Sequence, residues 1–153
     1  MSSPKRPSVG HVHAAVSDAD RSVEFYAAVL GLDVRERYDG YAALTWGSRH
    51  HDVVLQEDAE ATPCRIAVEV PDADALVTIY RACGERGVEA APVDHGISKA
   101  LYFPDPDGNE LEVYLDARDS DDGLGTYLDA LVGGDEPPFE ARTESFDPDS
   151  LAG

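Results

Sequence analysis

The chain has 153 residues, 42% of them hydrophobic, with 31 Asp and Glu against 12 Lys and Arg, for a formal net charge of −19. That length is enough for one domain with a sizeable core. The acidic balance excludes nucleic acid and anionic membrane as expected partners, because neutralising phosphates takes a basic stripe and the basic residues here are scattered.

In chain order, "MSSPKRPSVG" has basic residues but no apolar segment behind them, so no signal peptide is expected. "HVHAAV" (11–16) reads as a strand, and Ser17-Asp18 as a cap. Val23, Tyr26, Ala27 and Leu30 then follow helical spacing up to a stop at Gly31. Strands are predicted at 33–38, 41–46 and 51–57.

The order then repeats. "RIAVEV" (65–70) is a strand, Pro71-Asp72 a cap, and Leu76, Ile79, Tyr80 and Cys83 a helical stripe ending at Gly87. Strands follow at 88–93, 99–103 and 110–115, with "DPDG" (105–108) as the turn before the last. "VSDADRSVEFY" (16–26) aligns without gaps on "VPDADALVTIY" (70–80) at an offset of 54, which grows to 58 by the last strands. Two copies are too few for a solenoid, so the reading is α+β: two βαβββ modules at about 9–57 and 64–116 within one domain, 1–117.

Beyond Asp116 the chain is an acidic C-terminal extension, 118–153. "LGTYLDALV" could form one helix, and the rest is polar, irregular or disordered, with Phe139 and Phe146 able to tack it onto the body or a neighbour. Cys64 and Cys83 make no CxxC and no metal-finger spacing, so a reducing cytoplasm is the default compartment. No apolar run approaches the roughly 18–20 residues of a membrane span. The dispersed acid points to a salt-rich (halophilic) cytoplasm, where screening removes self-repulsion.

The last strand, "GNELEVYLD" (108–116), sets Leu111, Val113 and Leu115 on one face and Glu110, Glu112, Tyr114 and Asp116 on the other. The βαβββ pair, opening "HVHAAVSDADRSVEFYAAVLGL" and closing "YFPDPDGNELEVY", resembles the vicinal oxygen chelate superfamily of glyoxalases, extradiol dioxygenases and bleomycin-binding proteins. The resemblance implies a curled mixed-sheet cup with a divalent metal held by first-strand and last-strand residues. Carried onto this sequence, the ligand positions are His11, Val54, Arg65 and Glu112, so His11 and Glu112 are the metal candidates. Fe(II) is favoured for such a set, with Mn(II), Ni(II) or Zn(II) as alternatives.

Arg65 cannot donate a lone pair and repels a divalent ion; its expected partner is Glu112, and with it a metal-free cup stays open. His13 shares the face of His11, while His51 is opposite in phase to Val54; with Arg65 they are candidates for a substrate pocket. In "DHGISKALYF", His95 and Tyr102 resemble the catalytic histidine and tyrosine of extradiol dioxygenases. Three functions follow from the resemblance: an extradiol-type dioxygenase acting on a small catechol-like substrate, a metal-free small-molecule binder, and a glyoxalase-like isomerase or lyase. The resemblance also implies a homodimer.

Overall fold

The computed structural model describes residue 7 and residues 9–95, 98–116 and 144–152. The chain divides into two compact units, Met1–Pro63 and Cys64–Gly153. Each contains one βαβββ module, and the two mixed sheets with two helices make the fold α+β.

In the first unit β1 (Val12–Val16) leads to α1 (Ala19–Leu30), then β2 (Asp33–Tyr38), β3 (Tyr41–Thr45) and β4 (Val53–Glu57). The sheet order is β1-β4-β3-β2, with β1 parallel to β4 and the other pairs antiparallel. α1 starts where Asp18 accepts a hydrogen bond from the Arg21 N–H, and stops at Gly31, whose φ of 71° suits a residue without Cβ. Its buried face includes Val23, Phe25, Tyr26 and Val29.

β3 ends one residue earlier than the alternation predicts, and β4 starts two residues later. The cause is Asp52. Its carboxylate accepts from the Trp46 N–H (2.9 Å) and the buried Thr45 hydroxyl (2.8 Å), pulling residues 46–50 into a series of bends. Those two donors hold its carboxyl below the usual range, the Trp46 N–H most, against the opposing effect of burial.

The second unit repeats the plan with β5 (Arg65–Val70), α2 (Ala73–Glu85), β6 (Ala91–Asp94), β7 (Ser98–Pro104) and β8 (Glu110–Asp116). Asp72 caps α2 by accepting from the Ala75 N–H at 2.8 Å, and α2 begins 54 residues after α1, the offset of the sequence repeat. The sheet order is β5-β8-β7-β6-β9, where β9 is Glu144–Ser145. A 3₁₀ turn at Pro148–Leu151 follows β9. Thus 144–152, expected to be polar and irregular, adds a strand to the sheet. The helix expected at 124–132 and Phe139 lie outside the described residues.

The DPDG turn is tied down by a buried polar pair. Asp105 accepts from the N–H groups of Asp107 and Asn109 and from Asn109 Nδ2. Asn109 Oδ1 in turn accepts from the Cys64 N–H at 2.8 Å, which joins the turn to the start of β5. Leu111 and Val113 are fully buried, while Glu110, Glu112 and Tyr114 on the opposite face are half-buried. Among the described residues no helix is long and apolar enough to cross a membrane. Cys64 and Cys83 are free thiols.

Candidate functional site

The second unit gathers His95, Tyr102 and Glu112 into one chain of hydrogen bonds. Tyr102 on β7 lies directly opposite Glu112 on β8, so both side chains leave the same sheet face. The Tyr102 hydroxyl donates to Glu112 Oε1 at 2.9 Å. His95 Nε2 lies 2.9 Å from the same hydroxyl oxygen. With the phenol hydrogen committed to Glu112, Nε2 of His95 carries the proton that it shares with Tyr102.

Burial, then the hydrogen bond to Glu112 and its charge, push the Tyr102 phenol up to about 12, with Arg65 pulling the other way. Tyr102 is therefore a neutral donor at physiological pH. His95 owes its place to the three-residue link between β6 and β7, closed by its own N–H donating to the Ser98 carbonyl at 2.9 Å.

Arg65 does not pair with Glu112. Its Nε and Nη2 both donate to Glu110 Oε2, at 2.9 and 2.7 Å. The parallel β5–β8 register explains this: Arg65 faces Glu110, and Ala67 faces Glu112. The guanidinium is 67% exposed, and Glu110, Tyr102 and Glu112 all add to its basicity, Glu110 first.

The first unit gathers histidines instead. His11 lies immediately before β1, and its ring meets His51 edge-on at 4.4 Å and His13 at 6.5 Å. His13 Nε2 bonds Gln56 Oε1 at 2.8 Å. His50 reaches His51 through a 2.9 Å Nδ1–Nδ1 hydrogen bond and Glu36 through a 3.1 Å contact. The phase argument that set His51 apart assumed a strand through residue 51. The bends at 46–50 break that phase and return His51 to His11. His50 shares the phase of Val54 in the sequence but lies four residues from it, too far along a strand to replace it, and Glu36 carries no sequence signal.

His11 and Glu112 belong to different units, and each is described with its own neighbours. Among the described residues no group of three His, Cys, Asp or Glu side chains could hold a metal ion. At the position equivalent to His11 in the second module stands a cation bound to Glu110, so the expected ligand positions offer one imidazole and one carboxylate. These residues do not fit a three-ligand centre for a divalent ion.

Duplicated βαβββ units of this kind define the vicinal oxygen chelate fold. The chain belongs to the Glyoxalase/Bleomycin resistance protein/Dioxygenase superfamily, whose profile matches residues 8–113. It is 29% identical over 162 residues to a catechol-2,3-dioxygenase of Bacillus subtilis, covering 95% of this chain but only 57% of that relative. It is 27% identical to biphenyl-2,3-diol 1,2-dioxygenase 3 of Rhodococcus globerulus, covering 95% of this chain and 80% of the relative. A lactoylglutathione lyase of Neisseria meningitidis is 28% identical, with 74% of this chain covered and 94% of that one. Among solved structures, oxidase ChaP-H2 shares the fold with a TM-score of 0.62 at 24% identity, over 76% of this chain and 98% of that one.

Proposed function

We propose that this protein binds a small phenolic, catechol-like molecule on the sheet face of its second module, without needing a metal ion. The observation that carries this reading is the His95–Tyr102–Glu112 hydrogen-bond chain. It places an anionic acceptor, a neutral hydroxyl and an imidazole on one half-buried face. Glu112 uses Oε1 for Tyr102, so Oε2 is the atom for a ligand hydroxyl to donate to. A hydrogen bond to a charged acceptor is stronger than a neutral one, so Glu112 both holds and orients a ligand hydroxyl. His95 donates its Nε2 hydrogen to the Tyr102 oxygen, which holds the neutral hydroxyl in line with Glu112.

The second reading is a ring-cleaving dioxygenase. It is favoured by the Tyr102–Glu112 pair together with the similarity to catechol and biphenyl-diol dioxygenases. It ranks behind binding because Arg65 supplies no ligand where that chemistry wants a second histidine.

The deciding experiment is calorimetric titration of chelator-treated protein with catechol and 4-nitrocatechol, beside oxygen uptake after Fe(II) is added. Binding that survives chelation and falls at least tenfold in Tyr102→Phe and Glu112→Gln supports the first reading. Oxygen uptake dependent on Fe(II) favours the second. No binding of either phenol, with or without metal, overturns both.

A further inference from the structure

β6 has only four residues, includes Pro92, which has no N–H to give, and is paired on one side by β7 alone within the module. Its other edge is covered by β9, where Val93 pairs with Ser145 and Asp94 with Glu144. Asp94 is the residue before His95, and Lys99 on β7 lies 3.7 Å from the Asp94 carboxylate. The chain after β9 is anchored a second time. Asp147 accepts from the Asp149 N–H, Pro148 is buried, and Asp149 takes Arg81 of α2 at 3.2 Å.

Among the described residues, the equivalent edge in the first module, β2, pairs with β3 alone. It carries Arg35, Glu36 and Arg37 and a register shift between Val34 and Glu36, which protect an open edge without a partner. Among the described residues, such a cover is therefore found on the strand that leads into His95.

We propose that residues 144–151 are a strap that positions His95, so the C-terminal segment sets how well the imidazole meets Tyr102. The strap holds the last residues of β6 between β7 and β9, and the turn through Pro148 fixes β9 to α2. Because only three residues separate β6 from β7, the His95 ring has little freedom once Asp94 is held. With the strap displaced, β6 frays as a short edge strand and the His95–Tyr102 bond opens. Ser145, Arg81 and Asp149 are thus positioning residues, acting through His95. The inference rests on the reading of the His95–Tyr102–Glu112 chain as the ligand site, but its first measurement does not.

The test uses the full-length chain and three changes away from that site: Ser145→Pro, Arg81→Glu, and the charge exchange Arg81→Glu with Asp149→Lys. Nitrogen-15 NMR reads whether the His95 Nε2 proton is retained, and hydrogen exchange reads the His95 amide bonded to Ser98. Catechol affinity is measured alongside. Ser145→Pro and Arg81→Glu are expected to speed His95 amide exchange at least tenfold and weaken catechol about fivefold, with circular dichroism unchanged. The charge exchange is expected to restore both. Unchanged Nε2 and amide signals in both single variants overturn the strap, even if catechol binds. Changed signals in a protein that binds no catechol uphold the strap and overturn the ligand reading.

Discussion

Tyr102 and Glu112 are cross-strand partners whose side chains bond at 2.9 Å on the half-buried face of the second sheet. Tyr102→Phe keeps the ring and removes the donor, leaving Glu112 Oε1 and His95 Nε2 without this partner. The expected loss of stability is about 1–2 kcal/mol, at the lower end for a charged acceptor because the pair is only partly buried. Urea unfolding of the two proteins at pH 7 measures it.

The same residue sets an alkaline limit. Burial and the Glu112 carboxylate favour the protonated phenol in the folded chain, raising it from 10.0 to about 12. The contribution to stability is full below about pH 10 and is lost as pH rises through about 12, since in that window the unfolded chain has released the proton. Unfolding midpoints between pH 9 and 12 should fall more steeply in the wild type than in Tyr102→Phe. Parallel curves would contradict this.

Asp52 sets a limit at the acid end. The Trp46 N–H and the Thr45 hydroxyl lower its carboxyl below 3.8. Its contribution is present above the unfolded value and is lost as pH falls through the lower folded one. Asp52→Asn should flatten the stability curve below about pH 4. It should also loosen residues 46–50, seen as faster exchange of the Trp46 amide.

Asn109 is 1% exposed and serves both the DPDG turn and β5. Asn109→Ala leaves the Cys64 N–H and Asp105 Oδ2 each short of a buried partner, at a cost of about 2–4 kcal/mol. Denaturant titration should show that loss without a change in slope, whereas Arg65→Gln, at an exposed ion pair, should leave the midpoint where it is.

A charge of −19 makes the folded chain repel itself, and added salt screens that repulsion within about 10 Å at 0.1 M and 3 Å at 1 M. The thermal midpoint should rise steadily between 0.1 and 2 M KCl. A flat response would show that the acidic groups are already compensated in the fold.

The two modules were legible because each level of the sequence agreed. The caps at Asp18 and Asp72 recur at an offset of 54 and the helix-ending glycines Gly31 and Gly87 at 56, each after an apolar helical stripe, and β2 falls at 33–38 as expected. Glu112 was legible as a residue on the polar face of the last strand, but its partners were not. Choosing Tyr102 over Arg65 depends on strand register, which alternation does not encode: a shift of two residues would have exchanged Glu110 and Glu112. His51 lies outside β4 because Asp52 captures the Trp46 N–H and β4 starts only at Val53, and no periodicity records a side chain that captures backbone. β9 is two polar residues long, too short to carry a period at all.

The duplication also shows one pair of register positions put to two different uses. The register positions equivalent to Tyr102 and Glu112 are Ala43 and Val54, paired in the same way on β3 and β4. They are 0% and 2% exposed. Placing a tyrosine and a carboxylate there would overfill a closed interior and strand a charge away from water. In the first half these two positions serve core packing, so a change of polar side chain at this register is far more accessible to mutation in the second.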